Sequence, residues 1–148
     1  MYFVDRELIE KRLVYLEENM KVFSESKEWV SKVEKAALER ISHMLIETIT
    51  DTGNQMIDGF IMRDPGSYND IIDILVDEKV ISKPEGDSLK RVFAWRKPLL
   101  QEYTDIDHKK LHDSMLEEST ALLNYPGKVR RYIENELGPV SAFLPQKD

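Results

Sequence analysis

The sequence predicts an all-α protein: an antiparallel up-and-down four-helix bundle with one short extra helix. Three observations point there. Four long stretches repeat apolar residues every three or four positions, the spacing that builds one face of a helix. Capping residues stand just before several of these stretches. No segment shows the alternation of a half-buried strand, and no internal repeat is visible.

The first helix is predicted over about 6–23. Asp5 is its N-cap, and Val4 and Ile9 stand at the two positions of a hydrophobic staple. Ile9, Leu13, Leu16, Met20 and Phe23 form a narrow apolar seam. Ser24-Glu25-Ser26 ends it and offers the next cap. The second helix is long, running to about Ile61. Its seam is Val30, Val33, Ala37, Ile41, Leu45 and Ile49, and Gly53 and Gly59 weaken its second half. Asp64-Pro65-Gly66-Ser67 is a turn by composition, and Ser67 or Tyr68 opens the short extra helix with Ile71, Ile72, Leu75 and Val76.

Ser82-Lys83-Pro84-Glu85 is a capping box with proline in the first turn. It opens a fourth helix from about Lys83 to Tyr103, bent by Pro98, which withdraws the hydrogen bond to the Ala94 carbonyl. Asp107 caps the fifth, carrying Leu111, Met115, Leu116, Leu122 and Leu123. Asn124-Tyr125-Pro126-Gly127 should interrupt it; helix then resumes through Val129, Tyr132, Ile133 and Leu137 and stops at Gly138-Pro139. The bundle is expected to span 1–138, with 139–148 as a C-terminal tail.

The chain has 148 residues, enough for a sizeable core. It has no cysteine, which excludes disulfides, thiolate metal sites and cysteine nucleophiles. No apolar run approaches a membrane span, and MYFVDRELIEKR has no cleavable signal pattern, so a cytoplasmic protein is expected. A formal charge of −7 argues against a broad nucleic-acid-binding surface but allows a local basic cleft. Lys90, Arg91, Arg96 and Lys97 are the densest basic cluster.

Arg96 is the conspicuous residue. By helical spacing it lies in the middle of an apolar face made by Leu89, Val92, Phe93, Leu100 and Tyr103, where a guanidinium needs a partner or a cleft. On the second helix, His43, Glu47, Asp51, Asn54 and Asp58 form a polar line. It reads either as a solvated face or as the wall of a cleft that holds Arg96. His108 and His112, one turn apart, have metal-ligand spacing but no general-base glutamate after the first; His43 reads as structural. There is neither a glycine-rich phosphate loop nor a nucleophile elbow, and no metal or cofactor is expected.

Arg96, four intervening residues, Gln101, one residue and Tyr103 resembles the signature of the HepT-like toxins of the HEPN superfamily. That signature is an arginine, four to six residues, a histidine and usually a tyrosine two further on. Ile46-Glu47, Asp51, Gly53-Asn54, Asp64-Pro65-Gly66-Ser67-Tyr68-Asn69-Asp70 and Ile74-Leu75 are similar to the same family, so the resemblance runs from about Asp5 to Leu137. It implies an all-helical homodimer and a metal-independent ribonuclease, its arginines and histidines lining a cleft between subunits. It also implies a partner, an MntA-like nucleotidyltransferase antitoxin that adds AMP to the motif tyrosine. Arg96 would then hold an RNA phosphate and Tyr103 would take the AMP, with Glu47, Asp51, Asn54 and Lys97 around the cleft. The chain departs from the signature at Gln101, which does not titrate in the useful range. Two functions therefore remain: a ribonuclease toxin weakened or silenced at Gln101, or a dimeric binding or regulatory module. In the second, Arg96 can equally be a buried ion pair with Glu47 or Asp51.

Overall fold

The computed structural model describes residues 4–137. They form seven helices and no strand: α1 (Arg6–Glu25), α2 (Lys32–Gly59), α3 (Tyr68–Asp77), α4 (Lys83–Phe93), α5 (Arg96–Gln101), α6 (His108–Glu117) and α7 (Ser119–Leu137). The expected stop at Gly138-Pro139 and the 139–148 tail lie outside the described residues. The all-α class holds. α4–α5 and α6–α7 take the places of the two long helices expected after α3, an arrangement compatible with the four-helix plan.

The first helix is as the seam dictates. Asp5 accepts from the Leu8 amide, and Ile9, Leu13, Leu16, Met20 and Phe23 are all buried. α2 starts later than expected. Its cap is Ser31, not Ser24 to Ser26, and Glu34 closes a capping box back onto the Ser31 amide. Val30 and Val33 are accordingly exposed, and Leu38 takes the core place assigned to Ala37. Beyond Leu45 the helix is buried on several sides at once, so its interior includes Thr48, Thr50 and Thr52. Each of these hydroxyls bonds the carbonyl one turn back, on Met44, Ile46 and Thr48. α2 ends at Gly59 rather than Ile61, because Ile61 turns left-handed at φ 53°. The Met62 amide then bonds the Ile57 carbonyl, a Schellman closure with Ile57 and Met62 packed together.

Glycine sets how closely α3 approaches its neighbours. A Cβ on Gly53 of α2 would lie 2.7 Å from Ile71, and one on Gly86 of α4 would lie 2.5 Å from Val76. The glycine expected to weaken α2 is the one that admits α3.

Pro98 splits the expected fourth helix instead of bending it. α4 stops at Phe93, a turn covers Ala94 and Trp95, and α5 restarts at Arg96 with Pro98 in its first turn, where the missing N–H is harmless. The new phase buries Leu99 and leaves Leu100 and Tyr103 exposed, reversing their expected burial. Phe93 and Leu99 are buried and Trp95 packs on the core, so all three serve the monomer.

The other proline is tolerated. α7 runs unbroken through Pro126 and Gly127, and the break comes at Glu118. Leu116 and Leu123 consequently face out, while Ala121, Leu122, Tyr125, Val129, Ile133 and Leu137 line the core. Glu118 is buried, with Ser88 Oγ at 2.7 Å and Arg91 Nε at 2.9 Å. It ties the α6–α7 corner to α4. Arg130 ties α7 to α1 by forked contacts to Glu10 and Glu17.

The Arg91 guanidinium, helped by Ser88, holds the Glu118 carboxyl below its usual range, against the opposing effect of burial. A depressed folded-state pKa gives stability that is complete above the unfolded value, about 4.3, and lost as pH falls through the folded value. Glu118→Gln should therefore flatten the acid side of the profile of unfolding free energy against pH. Glu118→Ala should cost about 1–3 kcal/mol near neutral pH by leaving Ser88 and Arg91 without their acceptor. Urea melts at several pH values check both.

Candidate functional site

Arg96 opens α5, where α4 has just been broken, and so projects from a helix start over α2 and α3. Its Nε faces Glu47 Oε1 at 3.5 Å, and its Cζ lies 4.0 Å from the centroid of the Tyr68 ring. Three helices thus meet at one guanidinium. The ion pair is loose: Arg96 Nε and Glu47 Oε1 are both shut off from solvent, yet neither has a hydrogen bond. The side chains as a whole are 31% and 26% exposed, so the pair is not deeply buried. Among the described residues Arg96 makes no ion pair other than this one.

The remaining expected residues are distributed unevenly. Asp51 and Asn54 are half-buried on the same side of α2 as Glu47, but Arg96 pairs with Glu47 and not with Asp51. The polar line on α2 therefore faces packed elements at Glu47. One turn earlier the His43 Nδ1 is enclosed without a partner, and at Glu39 a carboxylate meets His108 Nε2 at 2.7 Å. Lys97 is exposed beside Arg96. Gln101, at the end of α5, is exposed, and Tyr103 lies past the helix end, 63% exposed. Five residues of α-helix turn the chain by roughly 140° beyond a full circle. Arg96 and Gln101 therefore leave α5 on different sides.

The basic cluster is smaller than its sequence suggests. Lys90 pairs with Asp73 and Arg91 with Glu118, which leaves Arg96 and Lys97. His108 and His112 do not converge: His112 packs its ring against Phe23 and Trp29. Among the described residues no group of three or more histidine or acidic side chains could hold a metal ion.

Sequence reasoning missed Tyr68 as part of the site. It counted the residue as a helix opener and as part of the Asp64-to-Asp70 stretch that carries the resemblance, and gave it no role beside Arg96. The Asp64-to-Ser67 turn is tightly fixed. Asp70 accepts from the Gly66 amide and from both terminal nitrogens of Arg63, and Ser67 Oγ accepts from the Asp70 amide.

A family model described as ribonuclease HepT-like matches residues 9–129. A Bacillus subtilis (strain 168) protein named "Putative RNase YutE" is 54% identical over 143 residues, covering 97% of this chain and 99% of its own. The solved structure of YutE, described as a cytosolic protein of unknown function from Bacillus subtilis, superposes with a TM-score of 0.93 at 55% identity, over 97% of this chain and 100% of that one. A tri-AMPylated Shewanella oneidensis HEPN toxin in complex with MNT antitoxin shares the fold at 13% identity, with a TM-score of 0.73 over 83% of this chain and 96% of that one.

The loose geometry at Glu47 makes a stability prediction. A partly exposed ion pair and one cation–π contact contribute about 1 kcal/mol together. Arg96→Ala should leave the protein folded, with a loss near that size in a urea melt. A loss of several kcal/mol would instead mark Arg96 as a structural ion pair.

Proposed function

The chain belongs to the ribonuclease HepT-like family, and from that premise we propose that it is a HepT-like RNA-binding protein whose cleavage is weakened or abolished at Gln101. The observation that carries the reading is the state of Arg96. A guanidinium on a helix start, with its Nε under-bonded and only a loose ion pair to Glu47 among the described residues, is suited to take a phosphate. Lys97 beside it adds charge. RNA cleavage also needs a group that gives and takes a proton near neutral pH, and a positioned histidine contributes a factor of about a hundred to ten thousand. Gln101 supplies none of that.

We propose that the working form is a homodimer. Because Arg96 and Gln101 leave α5 on different sides, a cleft lined by both residue types is more easily made by two copies than by one. Leu100 and Tyr103, both exposed near Arg96, give such a contact apolar surface. The exposed Tyr103 hydroxyl suits transfer of AMP by an MntA-like nucleotidyltransferase antitoxin. Among the described residues no helix is long and apolar enough to cross a membrane, and the reading places the protein in the cytoplasm. Gln101 itself favours a second reading, a catalytically silent dimeric module that keeps the scaffold without a toxin role.

A short fluorescent RNA should bind weakly, and less as salt rises, because few cations supply the attraction and the net charge opposes it. Arg96→Ala should abolish that binding. Cleavage in EDTA should be very slow or absent, and Gln101→His should raise it. Robust cleavage by the unaltered protein, lost in Arg96→Ala, would overturn the silencing at Gln101. Binding that survives Arg96→Ala would overturn the role of Arg96. For Tyr103, incubation with the antitoxin enzyme and ATP should add the mass of AMP, and Tyr103→Phe should prevent the gain.

A further inference from the structure

We infer that Tyr68 is a nucleobase-stacking residue and so helps decide what Arg96 binds. The inference rests on the reading of Arg96 as a phosphate-holding group. Tyr68 is 42% exposed although it stands at the first position of a helix that is otherwise well packed. Its ring and the Arg96 guanidinium lie 4.0 Å apart. The contact places an exposed aromatic surface within a few ångströms of the cation that would hold a phosphate. That is roughly the span between a phosphate and its own or the neighbouring base in a single strand. Aromatic rings beside cations are the common platform for unpaired bases, because every base has a π face.

The backbone that carries the ring is also held in place before any ligand arrives. Ser67 caps α3, Asp70 is gripped by Arg63 and the Gly66 amide, and α3 is packed onto α2 at Gly53. A stacking platform fixed in this way costs little further ordering on binding. The acidic setting fits stacking better than a purely ionic grip. Glu47 already stands against Arg96, and of the neighbouring basic side chains Lys90 and Arg91 are paired elsewhere, which leaves Lys97 alone to add charge.

The experiment compares two fluorescent probes of equal length, an oligouridine RNA and an abasic ribose-phosphate oligomer, by anisotropy. The unaltered protein should prefer the RNA by roughly five- to a hundred-fold, the size of one stacked base. Tyr68→Phe should keep that preference. Tyr68→Leu should lose it while still binding the abasic probe, with melting temperature and mass by light scattering unchanged. An equal preference in the unaltered protein and Tyr68→Leu would overturn the stacking role and leave phosphate binding at Arg96 intact. A changed mass in Tyr68→Leu would make the ring a contact between copies instead. A fall in melting temperature with loss of both probes would reduce it to a support for Arg96. Failure of the unaltered protein to bind either probe would instead remove the reading of Arg96, and this inference with it.

Discussion

Three threonine hydroxyls inside α2 show the constraint on which the structure depends. From Ile46 to Ile57 this helix is covered by neighbours on most sides, and a polar group buried there without a partner would cost more than its burial returns. Thr48, Thr50 and Thr52 meet the demand within their own helix by bonding back one turn. Thr52 also meets the buried Tyr125 hydroxyl at 2.7 Å, which links α2 to α7, and burial pushes that phenol well above its usual range. With these three hydroxyls satisfied, α2 can serve as the post against which α1, α3, α5 and α6 pack.

The site is a by-product of that arrangement. The margin of α2 that carries Glu47, Asp51 and Asn54 keeps its polar side chains half-covered, and the guanidinium of α5 and the first residue of α3 meet at Glu47. A carboxylate, a guanidinium and an aromatic ring come together there without being neighbours in sequence. Nearby charges are neutralised in pairs that hold helices together: Lys90 with Asp73, Arg91 with Glu118, Arg63 with Asp70. Arg96 differs because the one ionic contact it makes among the described residues is long and forms no hydrogen bond.

Much of this was legible before any coordinates. Seams such as Ile9 to Phe23 and caps such as Asp5, Ser67, Ser82 and Asp107 identify helices because spacing and capping act locally. The errors came where tertiary contacts decide. Pro98 and Pro126 look alike in sequence. One falls in the first turn of a new helix and the other inside α7, where Glu118 has already taken the break by turning its carboxylate inward to Arg91. Val30 and Val33 matched a helical seam that starts only after Ser31. At the site, Arg96 could be picked out as an apolar-face cation, and Glu47 as one possible partner. Tyr68 could not, because its meeting with Arg96 depends on how closely α3 lies against α2, and that is set by the absence of a side chain at Gly53.

The glycine contacts on both flanks of α3 have a mechanical consequence. With Ile71 seated over Gly53 and Val76 over Gly86, α3 has no room to slide or rock without colliding with backbone. Movement of the α3 backbone that carries Tyr68 relative to α2 would require α2, α3 and α4 to separate together, which amounts to partial unfolding. The backbones that carry Tyr68 and Glu47 therefore behave as one stiff body, and the most compliant parts at this site are the long Arg96 side chain and the short helix that carries it. A ligand here would meet a wall whose spacing is already set by α2 and α3, so specificity would be set by fit to that wall, while the Arg96 arm absorbs variation in where the phosphate lies.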